Sequence, residues 1–203
     1  MSTRHVLSWL GTLIMIGGGI ALVASFFLNQ GQPGAAASNP GGFNVPKIED
    51  PRSARTDGGP QDKTLELTIP KMSRIEDDAV PDAAGDDERA LKDHAAIHLK
   101  GTGFPWQEGA NVYIAGHRLG YPSTESWLTF WDQQKLDKGD EIYVTDAEGT
   151  KYTYRVFEEF VVGPSDVSVT EPVEGKDVLT LQTCTLPNYT ERLITRAELV
   201  DVA

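Results

Sequence analysis

A run of 23 residues without a charged side chain, Val6 to Leu28, places the strongest limit on how this chain can fold. As a helix it is long enough to cross a hydrocarbon core of about 30 Å. Arg4 is the only charged side chain before it, so the positive-inside rule places the N-terminus in the cytoplasm and the rest outside. The apolar core of a cleaved signal peptide is usually shorter, about 7–15 residues, which favours an uncleaved anchor. The sequence therefore predicts a single-pass cell membrane protein with an extracellular domain.

Three parts follow from this prediction. Residues 1–29 form the cytoplasmic N-terminus and transmembrane anchor, residues 30–62 a flexible Gly- and Pro-rich linker, and residues 63–203 the folded domain. A second interpretation of the linker, in which Asp50-Pro51 belongs to a lid folded onto the domain, stays open. The net charge of −12 disfavours binding to the phosphates of nucleic acid and to anionic lipid. We therefore expect no nucleic-acid partner.

Short β-rich runs separated by turn residues predict an all-β barrel or sandwich after residue 63. Thr64–Ile69 alternates apolar and polar residues and stops at Pro70, as a strand should. Met72–His98 carries an acidic cluster and is predicted to be a loop with one short helix. The other predicted strands are Asn111–Ala115, Glu141–Thr145, Lys151–Val162, Asp177–Cys184 and Glu191–Val200.

Cys184 is the single cysteine, so it is either an inert buried residue or a reactive thiol. It ends a strand-like run, and nucleophiles are often presented where a strand opens into a loop. A reactive thiol needs a lowered pKa or an adjacent base, which an imidazole or a guanidinium supplies. The position of Cys184 at a strand end therefore supports a reactive thiol more strongly than the presence of a single cysteine does.

Histidine and arginine residues that could act on this thiol lie at other strand ends. His117 follows the predicted strand Asn111–Ala115 and precedes Arg118. His98 leaves two interpretations open, a structural hydrogen bond or an auxiliary role lining a cleft. Arg192 and Arg196 lie on the last predicted strand, and a guanidinium can stabilise an oxyanion without titrating.

The order of these motifs resembles the sortase cysteine transpeptidases. Gly116-His117-Arg118 comes after one strand, Leu181-Gln182-Thr183-Cys184 ends another, and Arg192 lies on the next. Thr68-Ile69-Pro70-Lys71 and Gly101-Thr102-Gly103 are also similar to that family, and the resemblance covers about Leu65 to Val200. It implies a closed eight-stranded β-barrel with one or two short helices.

The resemblance also implies roles for individual residues. Cys184 would be the nucleophile, attacking as a thiolate, and His117 would be an imidazolium that first protonates the leaving amine and later acts as a base. Arg192 would hold the substrate backbone and the oxyanion, with Arg196 the lesser candidate. Residues 163–175 would form a wall of the substrate groove. The expected substrate-binding residues are His98, Arg118, Thr183 and Thr185.

The implied reaction is cleavage of a C-terminal sorting motif, LPXTG or LAXTG-like, between Thr and Gly in secreted proteins. A thioester acyl-enzyme would then pass the protein to a peptidoglycan precursor amine. Thr185-Leu186-Pro187, the Thr-Ile-Pro-Lys start and the lack of a C-terminal transmembrane segment resemble class E housekeeping sortases of high-GC Gram-positive bacteria. A pilin-polymerising role is the alternative, and Arg52 in place of an aromatic after Asp50-Pro51 makes it less favoured.

Two rival functions stay open. A secreted Cys–His hydrolase or protease would use the same dyad and let water resolve the thioester, and a membrane-tethered binding domain would keep Cys184 inert.

We expect no cofactor and no metal. His94 and His98 are spaced like a helical zinc pair, but Gly101 breaks a helix there and no third ligand is evident. The acidic residues from Glu76 to Glu88 are predicted to form a solvated face rather than a calcium site.

Overall fold

The computed structural model describes residues 59–203. The predicted anchor and most of the predicted linker lie outside these residues and stay predictions. The longest helix among the described residues has six residues, so none of the helices found there could span a membrane. In chain order the elements are β1 Leu65–Thr68, β2 Asp78–Val80, β3 Asp82–Ala83, α1 Glu88–Asp93, β4 Ile97–Leu99, β5 Asn111–Ala115, β6 Glu141–Thr145, β7 Lys151–Val162, β8 Val178–Cys184 and β9 Arg192–Val202, with 3-10 turns at Gln133–Lys135 and Ser168–Thr170.

One sheet contains all nine described strands, in the order β2-β1-β6-β7-β9-β8-β5-β4-β3. Its two edge strands, β2 and β3, are separated only by Pro81. Pro81 has no N–H to donate, which interrupts the ladder, while its carbonyl accepts a hydrogen bond from the backbone N–H of His98 at 2.9 Å. The sheet therefore closes on itself almost completely at this residue. Counting residues 78–83 as one interrupted strand gives the predicted eight-stranded barrel, and the fold class is confirmed.

Two apolar clusters cover the two faces of the strands near the middle of the sheet. Successive side chains of a strand point to opposite faces, so Val112 and Leu179 belong to the larger cluster and Tyr113 to the smaller. Cys184 packs in the smaller cluster together with Ile194. The cysteine therefore lies on the face that the larger core does not fill.

The predicted strands agree with the structure where apolar and polar residues alternate along the strand or where the strand is long. Asn111–Ala115, Glu141–Thr145 and Lys151–Val162 are confirmed with the same bounds. The segment Met72–His98 contains the predicted short helix, α1, but also β2, β3 and β4, which the sequence did not predict. These strands have two or three residues each, and all three residues of β4 are buried, so there is no alternation to read.

Candidate active site

Parallel pairing of β5 with β8 brings His117 to the side of Cys184. Their register aligns Ala115 with Gln182, and two further residues on each strand reach the histidine and the cysteine. The pairing continues past the end of β5, because the backbone N–H of Gly116 donates to the carbonyl of Gln182 at 3.1 Å. The hydroxyl of Thr183 donates to the carbonyl of Gly116 at 2.8 Å. These two bonds fix the backbone that carries His117.

The residue before His117 must be small. A Cβ atom built on Gly116 would lie 2.2 Å from a ring carbon of Phe130, well inside contact distance. Phe130 is fully buried, and its backbone N–H donates to the carbonyl of His117 at 3.1 Å. The close approach of this ring thus holds the turn after β5 against the barrel.

Arg192 lies on the other side of Cys184. It begins β9 and is the Cα partner of Cys184 in the antiparallel β8–β9 pair. The side chain is 2% exposed, and its Nη1 atom donates to the carbonyls of Tyr189 at 3.1 Å and Glu191 at 3.0 Å. Cys184 therefore ends a central strand with an imidazole on one neighbour and a guanidinium on the other. Arg196, by contrast, is paired with Thr180, four residues back along β8.

Burial is the main influence on the pKa values of Cys184 and His117. It raises the pKa of the Cys184 thiol, against the smaller opposing effects of the Arg192 and Arg118 guanidiniums. It also lowers the pKa of His117 to about 4. The resting pair at neutral pH is therefore a thiol and a neutral imidazole. The sequence led us to expect a thiol activated by neighbouring cations, and the desolvation of a 3% exposed side chain outweighs them.

Arg118 is a second guanidinium close to this pair. It is 5% exposed, hydrogen-bonds the side chain of Gln134, and lies with its Cζ atom 5.9 Å from the ring centre of Trp131. Its Nε atom is buried without an acceptor among the described residues. Its charge acts on Cys184 and Glu159. Arg118 is therefore placed to influence the thiol electrostatically.

The two predicted threonine sites differ in their exposure. Thr183 is fully buried, and its hydroxyl bonds the carbonyl of Gly116, so its side chain helps to fix the position of the neighbouring His117. Thr185 is partly exposed just after β8, and its backbone N–H donates to the carbonyl of Glu191 at 3.0 Å. Of these two residues, only Thr185 has a surface that a substrate could reach.

His98 favours the structural interpretation over substrate binding. The side chain is fully buried on β4. Its Nδ1 atom is 2.9 Å from a carboxylate oxygen of Asp82, and its Nε2 atom is 2.9 Å from the carbonyl of Gly103 and 3.1 Å from the hydroxyl of Thr102. Both ring nitrogens are thus engaged inside the protein. A substrate would have to displace one of these bonds to reach the ring, so we place His98 with the framework.

Tyrosine side chains near the site were not predicted. The ring of Tyr121 meets that of His117 edge-on, with centroids 5.4 Å apart and planes at 89°. Tyr189 packs against the cluster that contains Cys184 and has a φ of 56° in the turn between Cys184 and Arg192. Tyr121 follows His117 by four residues and Tyr189 lies between two candidates, so proximity along the chain was the available signal.

His94 and His98, which are spaced like a helical zinc pair, do not lie on one helix. Helix α1 ends at Asp93, and His98 lies on β4. Among residues 59–203 there is no group of three or more His, Cys, Asp or Glu side chains arranged to hold a metal ion.

Comparison with known families gives a match over most of the described chain. The model of the Sortase domain matches residues 67–200. Sortase A of Streptococcus agalactiae serotype III (strain NEM316) is 39% identical over 92 residues, which are 45% of this chain and 37% of that protein. The match thus spans little more than a third of the length of this curated relative.

Solved structures with the same fold come from several bacteria. Sortase A from Corynebacterium diphtheriae is 30% identical with a TM-score of 0.57, covering 69% of this chain and 61% of that one. A pilus-related Sortase C of Group B Streptococcus is 28% identical with a TM-score of 0.58, covering 70% of each chain. Sortase C-1 from Actinomyces oris is 30% identical with a TM-score of 0.56, covering 68% and 73%.

Proposed function

The chain belongs to the sortase family, and on that premise we propose that it is a cysteine transpeptidase that attaches secreted proteins to the cell wall. Its substrates would be proteins with a C-terminal LPXTG or LAXTG-like sorting motif, cut between Thr and Gly. The acceptor would be the amine of a peptidoglycan precursor. The observation that carries the proposal is the position of Cys184, which ends β8 with His117 beside it and Arg192 as its strand partner.

The first half of the proposed reaction forms a thioester. The Sγ atom of Cys184 attacks the Thr carbonyl of the motif while its proton passes to the neutral imidazole of His117. The oxygen that becomes negative is stabilised by the guanidinium of Arg192, which carries its charge throughout. The C–N bond to Gly then breaks, and the imidazolium of His117 gives its proton to the leaving amine. The protonation states of the resting site, a Cys184 thiol and a neutral His117 imidazole, support this sequence of steps, because His117 begins the reaction able to accept a proton.

The second half runs the same steps toward a different amine. An acceptor amine attacks the thioester carbonyl while His117 takes its proton, the C–S bond to Cys184 breaks as the new amide forms, and the imidazolium of His117 gives the proton to the leaving sulfur, which restores the thiol. Transfer exceeds hydrolysis when the amine is held close to the thioester, since positioning raises its effective concentration. A Cys–His hydrolase would differ only at this step.

The finer parts of the proposal rest on the sequence. Thr185-Leu186-Pro187 and the Thr-Ile-Pro-Lys start favour a class E housekeeping role, which we prefer to pilin polymerisation. The uncharged run from Val6 to Leu28 favours a single membrane anchor with the catalytic domain outside the cell. These features would place the enzyme where exported proteins emerge.

The test uses the full chain in mild detergent with two peptides, one containing Pro and the other Ala at the second position of the motif. Intact-mass spectrometry would follow Cys184 with and without a small amine. We expect an acyl adduct on Cys184 and a ligated product that depends on the amine. The favoured peptide would report the subclass.

Cys184→Ala is the control, and it should form neither adduct nor product. An adduct that releases only free acid at high amine concentration would support the hydrolase instead. A folded wild-type protein that forms no adduct with either peptide would overturn the proposed function and leave the binding domain.

A further inference from the structure

The loop between β7 and β8, residues 163–177, is bonded to the barrel at its C-terminal end, where the carbonyl of Asp177 accepts from the backbone N–H of Leu199 at 2.9 Å and its carboxylate from that of Ala110 at 3.3 Å. The rest of the loop has few such anchors. Val169 is its one buried side chain, and the other residues of the loop are partly or fully exposed. Most hydrogen bonds of residues 163–175 are internal to the loop, such as that from the backbone N–H of Thr170 to the carbonyl of Val167 at 3.0 Å. A loop with so little buried surface depends on specific bonds to keep one position.

Asn111 supplies such bonds from inside the sheet. It begins β5, and its side chain is 1% exposed. Its amide Nδ2 donates to the carbonyl of Val169 at 3.0 Å and to the carbonyl of Glu171 at 2.9 Å. One side-chain amide thus holds two backbone carbonyls that flank the centre of the loop.

Thr180 on β8 sets the direction of this amide. Its hydroxyl, fully buried, donates to Oδ1 of Asn111 at 2.7 Å. With the oxygen occupied by a donor, the NH₂ group of Asn111 must face the loop. The hydrogen bonds therefore run in one direction: the Thr180 hydroxyl donates to the amide oxygen of Asn111, and the Asn111 NH₂ group donates to the loop carbonyls.

The anchored part of the loop reaches the cluster that contains the nucleophile. Val169, whose carbonyl Asn111 holds, packs in the same apolar cluster as Cys184 and Tyr113. A shift of this backbone would therefore move a wall next to the cysteine.

We propose that Asn111, oriented by Thr180, is a positioning residue that holds the 163–177 loop in place beside Cys184, where a substrate peptide must lie. This inference rests on the proposed function, in which Cys184 acts on sorting peptides. Asn111 touches neither the thiol nor the imidazole in this scheme. Its effect should therefore appear in peptide binding rather than in the chemical step.

The experiment compares Asn111→Asp with Thr180→Val and Thr180→Ser in the full chain. Asn111→Asp keeps an acceptor for Thr180 but replaces both donors with oxygen facing carbonyls, so we expect KM for the sorting peptide to rise about tenfold. The value of kcat should stay within about twofold. Thr180→Val frees the amide to turn and should raise KM about threefold. Thr180→Ser retains the hydroxyl and should restore the wild-type KM.

Two further measurements separate positioning from general loss of structure. Hydrogen exchange should be faster in residues 163–177 of Asn111→Asp and unchanged in β8 and β9. Alkylation of Cys184 by iodoacetamide should proceed at the wild-type rate. An active wild type whose KM and loop exchange are unaltered by Asn111→Asp and Thr180→Val would overturn this inference. A wild type that forms no acyl adduct would instead overturn the proposed function.

Discussion

The surroundings of His98 and His117 show how neighbouring strands give one residue type two uses. Both side chains are buried, and β4 and β5 are paired so that His98 faces Ile114, a few residues before His117. His98 has a carboxylate at Nδ1 and a carbonyl at Nε2. His117 lies beside a thiol, and burial sets its pKa at about 4. Hydrogen bonds to fixed oxygens make the first histidine part of the framework, and desolvation keeps the second unprotonated at neutral pH, as a base in the proposed reaction must be.

Replacing each histidine with glutamine should give the largest difference in activity between the two positions. His117→Gln removes the acid and base, so we expect kcat/KM for peptide transfer to fall about a thousandfold. His98→Gln should leave the rate per folded molecule within about threefold. Steady-state transfer assays, corrected for the folded fraction by circular dichroism, would measure both. Equal losses in the two variants would break the comparison.

Acid should destabilise the protein through His117. Its folded pKa of about 4 lies below the usual value of 6.5, so the unfolded chain binds this proton first as the pH falls. The stabilising contribution is complete above pH 6.5 and is lost towards pH 4, by about 3 kcal/mol.

Urea unfolding of the wild type and of His117→Gln at pH 7 and pH 4 would measure this loss. The free energy of unfolding should fall less in the variant, which has no imidazole at this position. Parallel pH profiles for the two proteins would contradict the assignment of this proton to His117.

The framework histidine should matter for stability instead. His98→Leu would leave the carbonyl of Gly103 and the carboxylate of Asp82 without their partner, at a cost of about 2 kcal/mol. Asp82→Asn keeps a polar atom near the ring and should cost less. Urea unfolding at pH 7 tests both variants. A His98→Leu protein as stable as the wild type would show that these bonds contribute nothing net.

Arg118 should produce the smallest effect in the His117 neighbourhood. Its charge opposes the burial that raises the pKa of Cys184, so Arg118→Gln should raise that pKa further. The thiolate is the reacting form, and iodoacetamide labelling at pH 8 should slow about threefold. Arg196→Gln is the matched control, because Arg196 lies opposite Thr180 rather than Cys184. Equal slowing in both variants would indicate an effect of net charge alone.

Much of the barrel could be predicted because its long strands alternate visibly or end at clear turns. Lys151–Val162 has such a pattern, whereas β4 is buried throughout and carries no periodic signal. Closure at Pro81 could not be predicted, since it depends on pairing with β1 on one side and β4 on the other. Local sequence contains no record of such distant partners.

Some features of the candidate site could also be predicted from the sequence, and others could not. Cys184, His117 and Arg192 could be selected because each lies at a strand end within a motif that resembles one family. The raised pKa of Cys184 could not be predicted, because it depends on side chains from several strands that bury the thiol. Asn111 begins a strand that the sequence predicts, but its bond to Val169 joins residues 58 positions apart. Only the folded chain shows that contact.

The strand order around Cys184 also determines when the protein can become active during folding. Cys184 and Arg192 are partners in an antiparallel pair joined by a short turn, which closes early because little chain entropy is lost. The bond between Thr183 and Gly116 joins residues 67 positions apart and requires parallel pairing, which forms slowly. A partly folded chain would thus hold a thiol beside a guanidinium with no base. If the proposed function holds, peptide transfer would measure completed folding, and refolding assays that follow transfer should lag behind those that follow the β8–β9 pair.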